Sequence, residues 1–450
     1  MTTGTFSNAT GDIEIFAFSG DSRQTVKALL AKMLAEIENA DASPGVVTLA
    51  EQSRAHFHST DFFRLTMIVK QDDVLQDCVQ NAIAAIDCKE EADPAEFPGV
   101  FFGEDKPPGN IAFLFPGQGS QYIGMGKDLM DFFPQAGTVF NDVDVWFARE
   151  KPLRAYIYPE APADAADKKQ MEEALRQTDI AQPAIGAISL FMTKILSVFK
   201  VFPNMTAGHS FGELTALCAG KRIRENDFLF LSVWRGRLMA AAAGADKGRM
   251  LAVKENPDTI TQRIQASGVD VILANKNSPE QGVLSGSSKE IEKIQQICKE
   301  NRIRTMLLPV SAAFHSRLVS GAAEGFRQKI ESVEILPASV PVYSNKTALP
   351  YSEIEKEARH LFGEHLVSPV NFMDQIINMH ANGAGVFVEV GPKNVLTGLV
   401  RSILKGYSFQ AFSIDASSGK QSGVYDLAAA LCRLGAIGCP VDLRSWKQPM

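Results

Sequence analysis

The sequence contains few cysteines, and none are paired in the spacing of a metal or redox motif. Six cysteines occur among 450 residues, at positions 78, 88, 218, 298, 432 and 439, without a Cys-x-x-Cys pair. Small secreted domains carry many cysteines as disulfides, and structural zinc sites use closely spaced cysteine pairs. We therefore predict reduced, buried thiols, a cytoplasmic location and no metal site.

The chain also lacks an excess of positive charge and a long uninterrupted apolar run. Its net charge of −7 argues against nucleic acid as the main partner. The most apolar stretch, residues 185–202, contains two lysines and three hydroxyl side chains, so we predict a buried helix and no membrane partner. The first eight residues have neither the basic nor the apolar segment of a signal peptide.

The remaining composition is that of an ordinary globular protein, with 45% hydrophobic and 22% charged residues. A chain of this length is expected to form about three domains. Residues 1–110 are predicted to form a separate small α/β domain. Its pattern indicates a strand over 13–20, a helix over 23–39, and a strand over 63–69 followed by a second helix. A Pro- and Gly-rich linker at 106–110 ends this domain.

A smaller unit is predicted to be inserted into a larger α/β unit that comprises residues 111–248 and 312–404. Residues 249–311 contain the order strand, helix, strand, strand, helix, strand, which is typical of a ferredoxin-like subdomain. Residues 161–170 are rich in Ala, Asp and Lys, which indicates an exposed connection. The tail, residues 405–450, contains one amphipathic helix pattern.

Candidate chemistry centres on Gly208-His-Ser210-Phe-Gly212, which has the Gly-x-Ser-x-Gly pattern of a nucleophile elbow. Residues 202–207 suit an incoming strand and residues 213–219 an outgoing helix. The glycines are needed because a Cβ would clash in so tight a turn. The turn would hold the Ser210 hydroxyl at a helix N-terminus, where developing negative charge is favoured. We therefore predict an α/β-hydrolase-like fold for the large unit, although such a turn also occurs for purely structural reasons.

A second Gly-rich segment, Pro116-Gly-Gln-Gly-Ser-Gln121, follows a predicted apolar strand over 111–115. It is not a dinucleotide motif, because Tyr122 stands where Gly-x-Gly-x-x-Gly needs its third glycine, and no Gly-Lys-Ser/Thr ending follows. The segment can present a backbone N–H to an oxyanion, or it can be an ordinary strand-to-helix turn. The sequence leaves both interpretations open.

Six motifs occur together in the order found in one enzyme family. They are Phe115-Pro-Gly-Gln-Gly-Ser-Gln121, Gly208-His-Ser-Phe-Gly-Glu213, Arg235-Gly-Arg237, Asn277-Ser-Pro279, Ala313-Phe-His315 and Glu389-Val-Gly-Pro392. In this order they resemble malonyl-CoA:ACP transacylases, and in particular the acyltransferase domain of type I polyketide or polyunsaturated-fatty-acid-type synthases. The resemblance covers residues 111–405. Residues 1–110 resemble the linker between ketosynthase and acyltransferase, and residues 440–446 resemble the segment that follows the acyltransferase.

The resemblance implies a catalytic pair and an oxyanion hole. Ser210 is implied as the nucleophile and His315 as its general base, since an unassisted serine is a weak nucleophile. The backbone N–H groups of Gln118 and Phe211 are implied as oxyanion donors. Asn371 occupies the position whose backbone carbonyl is implied to orient the histidine.

The resemblance also implies the substrate and partners. Arg235 is expected to bind the free carboxylate of malonyl-CoA, because a guanidinium matches a carboxylate bidentately. Phe314 is expected to favour malonyl over methylmalonyl, because its ring fills the space of an α-methyl group. The other implied pocket residues are Gln182, His209 and Asn277. The acceptor is expected to be the phosphopantetheine thiol of an acyl carrier protein beside an adjacent ketosynthase domain, with no cofactor bound by this chain.

Several alternatives remain at this level. A serine thioesterase or hydrolase would use the same elbow with an acid between Ser210 and His315, and four aspartates are available there: Asp227, Asp246, Asp258 and Asp270. An acyltransferase that prefers another extender, such as methylmalonyl-CoA, is a further alternative. Lys221, Arg222 and Arg224 form either a docking patch for an acidic carrier protein or an ordinary solvated face.

Overall fold

The computed structural model describes residues 13–39, 44–88, 97–104, 106–241, 248–310 and 312–447. The strands in these ranges form three sheets. Asp246 and the first twelve residues of the predicted N-terminal domain lie outside the described residues. All six cysteines are described as free thiols; four are buried, whereas Cys78 and Cys88 are only partly buried.

The N-terminal sheet is antiparallel, with the order β1-β2-β3. Its strands are β1 (Ile13–Gly20), β2 (Phe63–Lys70) and β3 (Val100–Gly103), and its helices are α1 (Arg23–Glu38), α2 (Val46–Ala55) and α3 (Leu75–Asp87). Ser22 caps α1 by accepting a hydrogen bond from the N–H of Thr25 at 3.2 Å. The predicted strands and helices are present, and α2 and β3 are additional to them.

The large unit is built on a parallel sheet with the order β11-β10-β4-β5. Its strands are β4 (Asn110–Phe115), β5 (Met205–Gly208), β10 (Ala384–Glu389) and β11 (Gln410–Ser413). Because parallel strands have their carboxyl ends at the same edge, the segments that follow β4, β5 and β10 meet there. That edge therefore holds the Gly-rich segment, the elbow and the turn at Gly391.

The helices of the large unit pack on both faces of this sheet, either directly or against other helices. They are α4 (Lys127–Phe132), α5 (Val139–Phe147), α6 (Leu153–Ile157), α7 (Ala165–Arg176), α8 (Thr178–Val198), α9 (Gly212–Ala219), α10 (Glu225–Ala241), α13 (Ser320–Ile330), α14 (Glu355–Gly363), α15 (Phe372–Ala381) and α16 (Val395–Ile403). The α8 helix is long and apolar enough to cross a membrane by length and composition, but 83% of its most apolar window is buried in the protein. Residues 161–170 are exposed as predicted, except for the partly buried Asp167, but from Ala165 onwards they form the start of α7 rather than a connection.

The third sheet is antiparallel, with the order β7-β8-β6-β9. Its elements follow one another as β6 (Arg249–Val253), α11 (Pro257–Ser267), β7 (Val271–Ser278), β8 (Gln281–Gly286), α12 (Ser288–Glu300) and β9 (Thr305–Leu307), which is the predicted order. The chain then returns to the large unit through the segment that carries His315. The side chain of Asn277 on β7 reaches His209 at the elbow, so this sheet borders the carboxyl edge of the parallel sheet.

The C-terminal segment packs against the N-terminal sheet. It contains α17 (Gly423–Ala436) and a short 3₁₀ turn, Leu443–Ser445. The hydroxyl of Thr66 on β2 donates to the carbonyl of Cys432 at 3.0 Å, and the Trp446 indole N–H donates to the carbonyl of Ile13 at 3.4 Å. The first strand and the last described turn are therefore in direct contact.

Candidate active site

The elbow joins β5 to α9, and its geometry requires both glycines. A Cβ on Gly208 would lie 2.0 Å from the carbonyl carbon of Gly212, and one on Gly212 would lie 1.9 Å from the carbonyl oxygen of Phe115. Ser210 between them has a φ of 51°, in the left-handed region that side chains seldom adopt. This strain is typical of a serine that is held out from the turn for chemistry.

Ser210 faces His315 across the carboxyl edge of the parallel sheet. The distance between Ser210 Oγ and His315 Nε2 is 2.7 Å, and His315 Nδ1 lies 2.9 Å from the carbonyl oxygen of Ser368. Because a carbonyl can only accept, Nδ1 carries the proton and Nε2 is left as the acceptor for the serine hydroxyl. Burial, reinforced by the charge of Arg235, lowers the pKa of His315 to about 3. The imidazole is therefore a neutral base.

The histidine-orienting carbonyl belongs to Ser368, so the prediction of Asn371 is wrong. Asn371 is the residue before α15, and its Nδ2 donates to the carbonyl of Lys346 at 2.7 Å. The carbonyl of Ser368, immediately before Pro369, is the one directed at the imidazole. A residue before proline favours an extended backbone, and the Ser368 carbonyl turns towards the buried ring from that segment.

Arg235 on α10 places a buried positive charge beside Ser210. Its side chain is 0% exposed, and Nη2 lies 3.5 Å from Ser210 Oγ. Among the described residues, Nε has no hydrogen-bond partner and no carboxylate lies within ion-pair distance of the guanidinium. Burial lowers the pKa of Arg235 to about 9, which still leaves it charged at neutral pH. A buried charge without a direct partner marks a place for an anionic group.

Two backbone N–H groups are free beside the serine. Those of Gln118 and Phe211 have no acceptor within the described parts of the chain. The Gly-rich segment lies directly on the elbow, because a Cβ on Gly117 would be 2.4 Å from the carbonyl oxygen of His209 and 3.5 Å from the nitrogen of Phe211. The two predicted oxyanion donors are thus contributed by adjoining segments.

A family model described as an acyl transferase domain matches residues 112–421. The chain belongs to the acyl transferase domain family, and it is an acyltransferase. A malonyl CoA-acyl carrier protein transacylase of Bacillus subtilis strain 168 is 37% identical over 298 residues, which are 65% of this chain and 90% of the relative. One subunit of the polyunsaturated fatty acid synthase of a Thraustochytrium species is 31% identical over 70% of this chain, but the match spans only 11% of that relative.

Solved structures of acyltransferases have the same fold. The acyltransferase domain from the second module of the salinomycin polyketide synthase is 28% identical, with a TM-score of 0.74 over 96% of both chains. The acyl-carrier-protein-S-malonyltransferase from Bartonella henselae is 32% identical, with a TM-score of 0.63, and covers 72% of this chain. The polyketide synthase domain therefore matches nearly the whole chain, including the parts outside the region shared with the Bartonella enzyme.

Hydrogen-bond contacts connect the predicted pocket residues Gln182 and Asn277 to the Gly-rich segment and the elbow. Gln182 Nε2 lies 3.4 Å from both Gln118 Oε1 and Met239 Sδ. His209 Nε2 lies 2.8 Å from Asn277 Oδ1, and burial lowers the pKa of this histidine. The predicted specificity residue, Phe314, is buried directly before His315 in the chain.

Two buried residues that sequence reasoning missed hold the elbow. Asn345 Oδ1 accepts from the N–H of Ser210 at 2.7 Å, and its Nδ2 donates to the carbonyl of Gly208 at 2.6 Å. His365 Nε2 donates to the carbonyl of Ser210 at 2.9 Å. Their positions, 135 and 155 residues after Ser210, follow no local spacing rule.

Glu213, on the first turn of α9, lies behind these residues. Its Oε2 is 3.5 Å from His365 Nε2, and its Oε1 accepts from the Tyr351 hydroxyl at 2.5 Å. Burial raises the pKa of Glu213 to about 7, against the opposing effect of the Tyr351 hydrogen bond. The motif Gly208–Glu213 contained this residue, but nothing in its local pattern indicated its partners.

The aspartates of the hydrolase alternative do not reach His315. Asp227 and Asp258 stand in the first turns of α10 and α11, and Asp270 forms an exposed ion pair with Arg317. The fourth candidate, Asp246, lies outside the described residues. With Ser368 bound to Nδ1, a serine–histidine–aspartate arrangement is absent from the part of the chain that the structure describes.

The predicted basic cluster is not a continuous surface patch. Arg222 is 1% exposed and forms an ion pair with Glu353 at 3.1 Å, and Arg224 pairs with Glu334 at 2.8 Å. Lys221 alone of these three is exposed without an ion pair among the described residues. Both interpretations of this segment, docking patch and solvated face, are therefore wrong for Arg222.

Proposed function

We propose that the chain transfers a malonyl group from malonyl-CoA, through an acyl-enzyme on Ser210, to the phosphopantetheine thiol of an acyl carrier protein. The observation that carries this proposal is the buried Arg235, which lacks a carboxylate partner among the described residues and lies 3.5 Å from the nucleophile. The malonyl group has the free carboxylate that this guanidinium lacks. Fatty acyl and acetyl groups have none.

The first half-reaction forms an ester. His315 Nε2 takes the proton from Ser210 Oγ as the oxygen attacks the thioester carbonyl carbon, and the carbonyl electron pair moves to its oxygen. The N–H groups of Gln118 and Phe211 stabilise that oxyanion. The intermediate collapses with loss of the CoA thiolate, which takes the proton from His315. Losing one such donor typically costs about 2.7–4 kcal/mol in the barrier.

The second half-reaction runs through the same groups. The phosphopantetheine thiol gives its proton to His315, and the thiolate attacks the ester carbonyl carbon of the acylated Ser210. The oxyanion again lies at Gln118 and Phe211. Ser210 Oγ leaves and takes the proton from His315, which restores the neutral pair.

Arg235 orients the malonyl group and selects it. A guanidinium binds a carboxylate through two parallel hydrogen bonds, and each hydrogen bond to a charged group is worth roughly 1.5–3 kcal/mol. The same bonds hold the carboxylate away from the reacting carbonyl. Gln182, His209 and Asn277 line the remaining pocket, and Phe314 reduces the space for an α-methyl group.

The same proposal includes the domain organisation. The parallel sheet supports an α/β-hydrolase-like large subdomain over 111–248 and 312–404. The antiparallel order β7-β8-β6-β9 supports a ferredoxin-like subdomain over 249–311. We propose that residues 1–110 are the linker domain beside a ketosynthase, that residues 405–450 are the segment after the acyltransferase, and that the chain works in the cytoplasm as part of a polyketide or fatty-acid type synthase.

Intact-mass measurement tests the proposal. The protein is mixed with malonyl-CoA and then with a phosphopantetheinylated carrier protein. We expect the mass of the carrier protein to increase by one malonyl group. Ser210→Ala, which cannot form the acyl-enzyme, is the control. Free malonate in place of malonyl-carrier would indicate a hydrolase. Methylmalonyl-CoA is tested as a second substrate. We expect it to acylate Ser210 at least about tenfold more slowly than malonyl-CoA does, because one methyl group changes the discrimination by about 1–3 kcal/mol.

A further inference from the structure

The Gly-rich segment after β4 contains an internal hydrogen bond at the peptide that carries one oxyanion donor. The hydroxyl of Ser120 donates to the carbonyl oxygen of Gly117 at 2.9 Å, and the N–H of Ser120 approaches the same oxygen at 3.3 Å. Ser120 is 3% exposed. Its hydroxyl therefore hydrogen-bonds to this carbonyl and not to solvent.

The carbonyl of Gly117 and the N–H of Gln118 belong to the same peptide unit. That unit is planar and trans, so its C=O and N–H point in opposite directions. Two donors from Ser120 at the carbonyl oxygen therefore fix the Gln118 N–H in the opposite direction within the same plane. That N–H has no acceptor in the described part of the molecule and remains available to a ligand.

The peptide unit between Gly119 and Ser120, two units further along the chain, is held from outside the segment by Lys393. Lys393 Nζ donates to the carbonyl of Gly119 at 3.0 Å. Its backbone N–H donates to Asp415 Oδ2 at 2.7 Å, and its carbonyl accepts from the Ser413 hydroxyl at 2.6 Å. Both partners lie at or just after the end of β11.

Asp415 connects the two sides of this arrangement. Its carboxylate also accepts from the Tyr122 hydroxyl, at 2.9 and 2.8 Å for the two oxygens. Tyr122 follows the Gly-rich segment directly. The segment is therefore attached to the β11 end at two points, through Lys393 at Gly119 and through Asp415 at Tyr122.

Lys393 adopts a backbone conformation that lysine disfavours. Its φ is 68°, in the left-handed region where glycine has no steric cost. A non-glycine residue persists there only when its surroundings compensate. The hydrogen bond to Gly119 requires a long cationic side chain, which glycine lacks.

We propose that Ser120 and Lys393 are positioning residues that hold the Gly-rich segment so that the Gln118 N–H faces the carbonyl oxygen of the bound thioester. This inference rests on the proposed acyl transfer and assigns two residues to the rigidity of its oxyanion hole. Preorganised donors stabilise charge because they need no rearrangement as it develops. A donor whose orientation is not fixed loses part of that advantage in the transition state. The binding of the thioester in the ground state changes little.

Single-turnover acylation by malonyl-CoA, without carrier protein, tests the inference. Ser120→Ala is expected to lower the acylation rate at saturating malonyl-CoA roughly 10- to 100-fold, which at most approaches the loss of rate when an oxyanion donor is removed. The malonyl-CoA concentration that gives half the maximal rate is expected to change less than about threefold. Ser120→Thr keeps the hydroxyl and is expected to retain most of the rate. Lys393→Gly removes the backbone strain and the hydrogen bond together. We expect an unchanged or higher melting temperature with a rate roughly tenfold lower.

Arg302→Gly is the matched control for Lys393→Gly. Arg302 is an exposed cation with a φ of 58°, at the end of α12. Its replacement relieves the same backbone strain far from the Gly-rich segment, so the acylation rate is expected to stay at the wild-type value.

The outcomes separate this inference from the function on which it rests. Wild-type acylation rates in both Ser120→Ala and Lys393→Gly would overturn the positioning role and leave acyl transfer standing. If Ser120→Ala and Ser120→Thr lose the same fraction of the acylation rate, in proportion to their loss of stability, then Ser120 contributes to folding alone. That result would also overturn the positioning role. Failure of the wild-type protein to form an acyl-enzyme would instead refute the proposed function.

Discussion

In the proposed function, malonyl selection rests on Arg235. Removing its guanidinium removes the partner of the malonyl carboxylate, whereas an acetyl group has no carboxylate and loses no interaction. We expect Arg235→Ala to lower the rate of malonyl acylation at least tenfold, since each charge-assisted hydrogen bond is worth roughly 1.5–3 kcal/mol, and to raise acetyl acylation relative to malonyl. Intact-mass time courses with the two CoA thioesters measure both rates.

The control for this substitution is two residues further along the same helix. Arg237 is partly buried, its guanidinium lies over Trp234 at 5.6 Å from the ring centroid, and it donates to the carbonyl of Phe147. Arg237→Ala is expected to keep the preference for malonyl. Unchanged malonyl acylation in Arg235→Ala would remove Arg235 from the site.

Glu213 makes the stability of the elbow depend on pH. Burial raises its pKa from 4.5 to about 7 in the folded protein. The folded state therefore holds the proton more tightly, and the associated stability is present below pH 4.5 and is lost as the pH rises through about 7. The effect is on the order of 3 kcal/mol at its limit.

Glu213→Gln is expected to remove this contribution, because glutamine keeps the shape without titrating. Denaturant unfolding at pH 5 and pH 8 measures it. The wild-type protein should lose more free energy of unfolding between these two values than the variant does. Glu389 and Asp415, whose pKa values burial also raises, remain in both proteins, so their contribution cancels in the comparison. Parallel pH profiles would contradict the assignment to Glu213.

At the scale of elements, the elbow depends on a contact from a distant turn. Asn345 binds the N–H of Ser210 and the carbonyl of Gly208, on either side of His209, and its Nδ2 also donates to Gln375 Oε1 at 3.3 Å. We expect Asn345→Ala to cost about 1–3 kcal/mol of stability, because it leaves a buried N–H and carbonyl unpaired. The acylation rate should fall as Ser210 loses its fixed position. Urea unfolding and single-turnover acylation measure the two effects.

An Asn345→Ala variant with wild-type acylation and lower stability would limit the residue to a structural role. Asn378→Ala is the matched control. Its Nδ2 donates to the carbonyl of Ala348 at 2.9 Å, in the same region but away from the elbow. Its acylation rate is expected to equal that of the wild-type protein.

Elements with strong periodic patterns were predictable, and those without them were not. The elbow strand and helix, α8 and the six elements of the antiparallel sheet follow from alternation, 3–4 spacing and glycine positions. The α7 helix was missed because Met171 and Leu175 are the only large apolar residues in its twelve. Its start is instead fixed by Asp164, which accepts from the N–H of Asp167 at 2.8 Å.

The site shows the same division between local and distant information. Ser210, its glycines and the Gly-rich segment are local motifs, and the family resemblance supplied His315 and Arg235. The Ser368 carbonyl was assigned wrongly to Asn371 because a backbone carbonyl has no residue type of its own. Asn345, His365 and Lys393 act through contacts 135, 155 and 274 residues away along the chain. No spacing rule connects positions so far apart.

At the scale of the whole molecule, Trp446 connects the tail to two other parts of the fold. Its side chain is 1% exposed, it lies 5.2 Å from Phe132 between ring centroids, and its indole donates to the carbonyl of Ile13. We expect Trp446→Ala to cost about 3–5 kcal/mol of stability, as is usual for a buried tryptophan. Thermal unfolding measures this loss.

The same variant should acylate Ser210 at the wild-type rate below its melting temperature. The tryptophan contacts Phe132, Phe199 and the backbone of Ile13, none of which is among the candidate site residues. A large loss of acylation in fully folded Trp446→Ala would show that the tail acts on the site.

The carbonyl behind His315 bears on how long the malonyl ester survives. A carbonyl dipole stabilises the protonated imidazole less than a carboxylate would, so His315 is a weak base towards a stray water molecule. A thiol needs far less help, since its proton is much more acidic than that of water. The acyl-enzyme can therefore form before the carrier protein binds and persist until it does. Its ester should persist in buffer for many turnover times and vanish promptly when a carrier thiol is supplied.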